Sequence, residues 1–383
     1  MTNRRKFLAL VGGGVVLAAA GGGAWAMTRD PARARIPWAV AGTTETEPRR
    51  RALSYAILAP NPHNRQPWLA DLGTDGEIAL YCDLDRRLPE TDPFDRQITI
   101  GLGCFLELLV QAAAEDDWWA DVTLFPDGEP QPRLDGRPLA VIRFVGQEGI
   151  ARDPLFSQVL DRRSCKEPFD TARSVDAGAL DRIAAVAKSG ATGGFTNQPD
   201  RVEALRERGW AALETEITTH RTLKESVDLM RIGKAEIEAS PDGIDLGGPM
   251  MEALALTGIL NRDAMLDMQS TVFKQQIPVL RAPFDTAMAF MWLTTSGNSR
   301  ADQINAGRDH VRLNLAATAL GVAMHPISQA LQEYTEMQPH YDGMRDELGI
   351  GNGETLQMLT RLGYGPQVPA SPRWPYETRI ANA

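Results

Sequence analysis

The chain has 383 residues, of which 43% are hydrophobic and 23% charged, and its formal net charge is -10. This length and composition are typical of a folded protein with one large domain or two. The acidic balance argues against non-specific binding to nucleic acid. The three cysteines, Cys82, Cys104 and Cys165, are widely spaced without a CxxC pair, which argues against a disulfide or metal framework.

The first predicted element is an export leader over residues 1–26. It has a positive start, an apolar region diluted by Gly and Ala, and a closing A-x-A site. The pair Arg4-Arg5 indicates a twin-arginine signal, which predicts export in folded form to the periplasm or the outer face of the cytoplasmic membrane. The apolar run 7–26 is also just long enough to span a membrane, so the sequence leaves open whether the leader is cleaved or retained as an anchor.

Residues 27–47 are rich in Pro, Arg, Ala and Thr and are predicted to be a linker. The first compact unit, residues 48–150, is predicted to hold a helix over 48–58, a strand over 78–83 and a buried apolar helix near 98–116. Two further strands, ADVTLFP and PLAVIRF, close the unit. Between the first helix and the first strand lies the elbow APNPHNRQPW, which cannot continue the helix because its prolines remove backbone donors.

The second unit, residues 151–383, opens with the basic stretch DRRSCKEPFD and a helix capped by Asp176. Residues 199–283 are predicted to be an insertion or lid, with a long charged helix to residue 239 and an irregular stretch after it. The strand TAMAFMWLTT, a second apolar helix near 304–323, the strand TLQMLTRLGYG and a Pro-rich tail follow.

The two apolar helices echo each other weakly. Each follows an Arg/Asp turn, and the small and apolar residues after Gly101 are spaced like those after Gly307. Such echoes are common in Ala/Leu-rich helices, so the pattern alone does not establish an internal duplication.

Four separated stretches resemble the nitroreductase family of FMN-dependent oxidoreductases, in the branch that fuses two halves in one chain. They are DRRSCKEPF, APNPHNRQPW, LGVAMHPISQ and RLGYGPQVPASPRWPYE. The resemblance implies an α+β fold in which two antiparallel sheets wrapped by helices form an internal pseudo-dimer. It also implies that the two apolar helices pack together at its centre and that no further oligomer is required.

The resemblance implies a flavin site as well. The residues that it places around FMN are Pro60, Asn61, Pro62, His63, Asn64, Arg162, Arg163, Ser164, Lys166, Pro326, Ile327, Ser328, Gln329 and Arg373. The basic residues and Ser164 would hold the phosphate, since Arg forks satisfy phosphate through bidentate hydrogen bonds. The prolines would keep the elbow rigid beside the ring. Without the other stretches, we would interpret Arg162 and Arg163 as ordinary solvent-exposed charged residues at the start of a helix, and His63 as a residue that caps or packs.

We predict no catalytic side chain and no metal, because the chemistry would belong to the flavin. The counterpart stretch PRRRALSY lacks the Ser and the second basic residue in register, and the counterpart stretch KSGATGGFTNQP lacks Gln-Pro-Trp, which predicts a single flavin site. Two functions stay open. The chain is either an exported reductase, passing hydride from a small-molecule donor to a nitroaromatic, quinone or similar acceptor, or an exported flavin-binding protein that sequesters FMN without turnover. Its other partner would be the twin-arginine export machinery, with membrane contact through the leader alone.

Overall fold

The computed structural model describes residues 28–381, so the predicted leader over residues 1–26 lies outside the described residues. The α-helices are α1 (Ile36–Val40), α2 (Pro48–Ala56), α3 (Arg96–Glu115), α4 (Ala177–Ala184), α5 (Pro199–Thr218), α6 (His220–Asp228), α7 (Gly233–Ala239), α8 (Pro249–Leu256), α9 (Arg262–Leu266), α10 (Thr271–Asp285), α11 (Arg300–Ala319) and α12 (Gln338–Leu348). The strands are β1 (Trp68–Asp71), β2 (Glu77–Cys82), β3 (Trp118–Leu124), β4 (Ala140–Gly146), β5 (Thr192–Thr196), β6 (Met230–Ile232), β7 (Ile244–Leu246), β8 (Ala289–Thr295), β9 (Ala323–Pro326), β10 (Thr355–Gly363) and β11 (Ile380–Ala381).

The chain forms two sheets, and four strands of the first, β1-β2-β4-β3, correspond in order to the four strands of the second, β5-β8-β10-β9. The first has the order β11-β1-β2-β4-β3 and the second the order β5-β8-β10-β9. In each half the central helix, α3 or α11, follows the second of the four corresponding strands. The predicted fold class is therefore confirmed: an α+β chain whose two antiparallel-sheet halves form an internal pseudo-dimer.

The helices α3 and α11 pack backbone to backbone at the centre, as predicted. A Cβ atom added to Gly103 would lie 2.1 Å from the carbonyl oxygen of Ile304, and one added to Gly307 would lie 2.0 Å from that of Ile100. The contact is symmetric, because each glycine follows by three residues the isoleucine whose carbonyl faces the other helix. The sequence echo aligned Gly101 with Gly307; the structure corrects this register, since Gly103 is the counterpart.

The first residue of each central helix repeats this symmetry. Arg96 and Arg300 are both 1% exposed, and each reaches into the other half of the chain. Arg96 donates to the carbonyl oxygens of Leu331 at 2.6 Å and Gln357 at 2.7 Å. Arg300 donates to the carbonyl oxygen of Pro132 at 2.9 Å. Buried backbone oxygens of each half therefore depend on a guanidinium from the other.

Both ends of the described chain pack onto the first half. Residues 28–47, predicted as a linker, contain α1, and its Trp38 is 7% exposed with its Nε1 donating to the carbonyl oxygen of Ser371 at 2.9 Å. After β10 the tail crosses to the first sheet, where β11 pairs in parallel with β1. Residues 28–47 are thus held in place by the tail, which comes from the opposite end of the chain.

The insertion is more broken than predicted. The expected long helix over residues 199–239 consists of α5, α6, β6 and α7, because Thr219 is extended and Gly233 has a φ of +76°. The expected irregular stretch instead contains β7 and three helices, α8 to α10. Asp176 caps α4 as predicted, since its side chain accepts from the backbone N–H of Ala179.

Candidate functional site

Three guanidinium groups surround the indole of Trp38. The Cζ atoms of Arg162, Arg163 and Arg373 lie 5.7, 4.8 and 5.6 Å from the ring centroid. Arg162 and Arg373 are each 3% exposed. Within residues 28–381, none of the three has a carboxylate within ion-pair distance. Buried charges are normally paired, so this cluster is an unusual concentration of uncompensated positive charge.

Neutral oxygens just after α2, and one on α11, hold two of these guanidiniums. Arg162 donates to the carbonyl oxygen of Leu58 at 2.9 Å and to Oδ1 of Asn314 at 3.0 Å. Arg373 donates to the carbonyl oxygens of Ile57 at 2.8 Å and Ala59 at 2.9 Å. Carbonyls after the last turn of a helix lack intrahelical partners, so they are ready acceptors for cations. The basic stretch and the tail therefore meet where the elbow begins.

The electrostatics of the cluster favour an anion. Burial and the neighbouring arginines lower the pKa of Arg162 to about 10 and that of Arg373 to about 9. The Nε atoms of Arg162 and Arg163 are buried and have no hydrogen-bond partner among the described residues. An anion with several acceptor oxygens would supply both the missing charge and the missing acceptors.

The elbow has a strained backbone. His63, Asn64 and Gln66 have φ values of 46°, 51° and 51°, in the left-handed region that residues other than glycine seldom adopt. The side chain of Asn61 accepts from the backbone N–H of Gln66 at 2.7 Å, which closes the turn. Such strain persists only where the surroundings determine the conformation, and it is common at functional sites.

The tail and the insertion both fasten this elbow. Oε1 of the fully buried Gln66 accepts from the backbone N–H of Trp374 at 2.9 Å, and its Nε2 donates to the carbonyl oxygen of Pro241 at 2.7 Å. The Oδ1 of Asn64 accepts from Arg373 at 2.5 Å, and its Nδ2 donates to the carbonyl oxygen of Pro372 at 3.0 Å. The amides of Asn61 and Asn64, assigned from the sequence to the cofactor, are thus engaged within the protein. Gln66, which the sequence placed only on the way back to the core, is a principal anchor.

A second anchor joins the basic stretch to the second sheet. Arg361 on β10 donates to Nδ1 of His325 at 3.0 Å and to the carbonyl oxygens of Cys165 at 2.9 Å and Glu167 at 2.8 Å. The backbone N–H of Cys165 donates to the carbonyl oxygen of Met324 on β9 at 3.1 Å. Arg361 was not predicted as a site residue, because the sequence alone does not show which residues of the neighbouring strands lie beside it.

Two histidines near the exposed Lys166 are held neutral. Burial, together with the charges of Lys166 and Arg65, lowers the pKa of His63 to about 4. Burial, Arg361 and Lys166 hold the pKa of His325 well below its usual value. The charge of Lys166 thus acts on both rings, one on the elbow and one on β9.

The remaining predicted residues lie around this centre. Pro60 is buried, and Pro62 and Ser164 are half-buried. The side chain of Ile327 is 1% exposed and packs in the core of the second half, together with neighbours from α5 and α10. Gln329 has a buried Oε1 without a partner among the described residues. Pro326 ends β9 opposite Thr360, and the Oγ of Ser328 lies 3.9 Å from the Sδ of Met358.

No protein-family model matches the chain. Over 347 residues it is 28% identical to a candidate NAD(P)H nitroreductase of Mycobacterium tuberculosis H37Rv, covering 87% of this chain and 93% of that protein. A second candidate NAD(P)H nitroreductase of that organism, acg, is 25% identical over 360 residues, covering 86% and 93%. The similarity is to nitroreductases. Among solved structures, the FMN-dependent nitroreductase NfnB from Mycobacterium smegmatis, in complex with NADPH, is 20% identical with a TM-score of 0.38, covering 58% of this chain and 96% of that one.

Proposed function

We propose that the chain is an FMN-dependent oxidoreductase of the nitroreductase type, in the branch that fuses two halves. The observation that carries the proposal is the cluster of Arg162, Arg163 and Arg373 around Trp38, which has no carboxylate partner in the described part of the chain. A flavin phosphate has nearly two negative charges and several acceptor oxygens, and it would satisfy both the charges and the orphaned Nε atoms. The similarity to candidate NAD(P)H nitroreductases over most of the chain supports the same function.

When bound, FMN would supply hydride chemistry through N5, to a nitroaromatic, quinone or similar acceptor. The protein's own contribution is binding and orientation. The arginines hold the phosphate, and the elbow, fixed by Gln66, presents backbone groups without flexing. His325 accepts from Arg361 at Nδ1, so its proton lies on Nε2, which is left as a neutral donor.

One observation favours the alternative, an exported protein that sequesters FMN without turnover. The insertion touches the elbow directly, since Gly243 donates its N–H to the carbonyl oxygen of Asn64 at 3.2 Å and Pro241 accepts from Gln66. An insertion in this position could cover the flavin face. The two functions are separated by following the visible spectrum anaerobically. A reductase is bleached by NADH or NADPH and recovers when a quinone is added, whereas a sequestering protein keeps its oxidised spectrum.

We predict one FMN per chain. In the second half, the loop between α4 and β5 corresponds to the elbow, but its backbone N–H groups are already used: Lys188, Ser189 and Ala191 donate to the carboxylate of Asp309 at 2.8, 2.9 and 3.0 Å. That negative charge would also repel a phosphate. Flavin absorbance against protein mass should give a ratio near one. A ratio of two, or a colourless chain after reconstitution with FMN, would contradict the single-site proposal.

We propose that the chain leaves the cytoplasm through its twin-arginine leader, in folded form. Replacing Arg4→Lys together with Arg5→Lys should keep the protein in the cytoplasm with its FMN content unchanged, because the export machinery reads the arginine pair and the flavin site lies elsewhere. Cell fractionation measures the outcome. Arg143→Lys, an exposed substitution on β4, is the control and should be exported normally. Normal export of the double variant would remove the proposal.

Gly101 gives a test of the elbow's position. A Cβ atom there would lie 3.1 Å from both Cβ of Asn61 and Cδ of Pro62, a contact that displaces the elbow by a few tenths of an ångström. We expect Gly101→Ala to weaken FMN binding about tenfold, or roughly 1.4 kcal/mol, in a fluorescence titration with little loss of thermal stability. Gly136→Ala is the control, because a Cβ atom there meets nothing within 4 Å. Equal affinity in both variants would show that the elbow does not contact the cofactor.

A further inference from the structure

An apolar stripe on α8 faces solvent. Met250 is 67% exposed, Leu256 is 77% exposed, and Ile259 in the turn after the helix is 53% exposed. Met250, Ala253 and Leu256 recur at every third position and are all exposed, so they lie along one side of the helix. We call Met250, Ala253, Leu256 and Ile259 the α8 face.

The α8 face lacks charged side chains. The segment of residues 248–261, GPMMEALALTGILN, contains one charged residue, Glu252. That carboxylate is turned inward: it is 8% exposed, accepts from the backbone N–H of Lys234 at 2.8 Å and pairs with Arg29 at 3.3 Å. A solvent-facing helix normally has charged residues on its outer side, so an uncharged, apolar outer side marks an interaction surface.

The start of the described chain lies beside α8, on the side of the buried Glu252. Lys234 donates from Nζ to the carbonyl oxygen of Thr28 at 3.1 Å, and Arg29 pairs with Glu252 of α8. The preceding segment of the sequence contains the apolar run 7–26, which has the length of a membrane span of about 30 Å. If that run occupies a bilayer, the surface around Thr28 faces the headgroups.

We propose that the α8 face is a membrane-docking surface that inserts into the headgroup and acyl boundary beside a leader retained as an anchor. The partner is the lipid bilayer itself. The net charge of -10 disfavours attraction to anionic headgroups, so burial of the apolar side chains supplies the contact. Docking goes beyond the proposed function and does not depend on bound flavin.

Docking would also place the candidate site near the membrane. The strand β7 and the elbow contacts of Pro241 and Gly243 directly precede α8 in the chain. A bilayer against α8 therefore lies close to the segment that touches the elbow.

A polarity-sensitive dye on the full chain tests the contact. Cys82, Cys104 and Cys165 are all buried, so a dye attaches selectively to an introduced surface cysteine. We expect Leu256→Cys, once labelled, to give a blue-shifted emission on phosphatidylcholine vesicles. The matched control, Val145→Cys on β4, starts from a side chain that is 44% exposed and should not shift.

A second variant ties the shift to the whole face. Met250→Cys, labelled in the same way, should shift on vesicles and lose most of that shift when Leu256→Glu and Ile259→Glu are added. No shift at Leu256→Cys would overturn the proposal, as would an equal shift at Val145→Cys. A blue-shifted emission already present without lipid would also overturn it, because the leader or a second copy of the chain would then cover the face.

Discussion

Alanine at Gly103 is expected to destabilise the chain by about 3 kcal/mol or more, although helix propensity alone predicts a gain of about 1 kcal/mol. The added Cβ atom would lie 2.1 Å from the carbonyl oxygen of Ile304, a backbone atom that cannot rotate away. The two central helices would have to separate, and the apolar contacts along both would loosen. Urea unfolding measures the change in the free energy of unfolding. A loss shows that the contact between the two helices dominates, and a gain shows that helix propensity does.

The symmetric position supplies a further check on the same contact. Gly307→Ala should destabilise by a similar amount, because its Cβ atom would lie 2.0 Å from the carbonyl oxygen of Ile100. The double variant should lose less than the sum of the two, since helices already separated by one methyl group accommodate the second more easily. Gly136→Ala serves as the control, with open space around its Cβ position. Unchanged or raised stability in Gly103→Ala would contradict the backbone-to-backbone crossing.

The pattern of apolar residues correctly predicted those elements whose own sequence is apolar enough to require burial. The continuous apolar pattern of α3 predicted a helix buried nearly all round, and the residues from Ile98 to Leu109 are indeed fully or almost fully buried. The register of the crossing was harder to predict. Several small residues line each helix, and only the fold shows that Gly103, two positions beyond the glycine that the echo suggested, meets Ile304.

Elements ordered by distant partners were not predicted. Trp38 lies in a segment of Pro, Arg and Ala, and its burial depends on the tail around Ser371 and Arg373. An aromatic residue close behind two arginines was the available signal, but nothing local identifies the partner. The same holds for Arg361, whose bond to His325 depends on the register of β9 and β10.

In the candidate site, too, the segments could be predicted from local sequence, whereas their contacts with distant residues could not. The basic stretch, the elbow and Arg373 could be named from their motifs, and the structure brings them together around Leu58. The roles of individual amides could not be named, because Asn61 and Asn64 satisfy protein groups that only the folded elbow exposes. The sequence identifies which segments converge, and the fold decides which atoms are left for a ligand.

Methionine in place of Arg162 is expected to move two measurements in opposite directions. The guanidinium is buried without a carboxylate, and burial lowers its pKa to about 10, so its charge opposes folding of the cofactor-free chain. Removing it should weaken FMN binding about 100-fold, or roughly 2.7 kcal/mol. The same change should stabilise the cofactor-free chain by about 1 kcal/mol, since an apolar side chain of similar length fills the site. Fluorescence titration and urea unfolding of the cofactor-free chain measure the two effects.

The opposite signs distinguish a binding residue from a structural one. If Arg162 mainly held Leu58 and Asn314 in place, Arg162→Met would lower stability and FMN binding together. The matched control is Arg50→Met, which removes a half-buried arginine from the stretch that lacks the phosphate motif and should leave FMN binding unchanged. A chain that loses its flavin while its cofactor-free form gains stability would show that the charge of Arg162 is kept for the anion, at the expense of the fold.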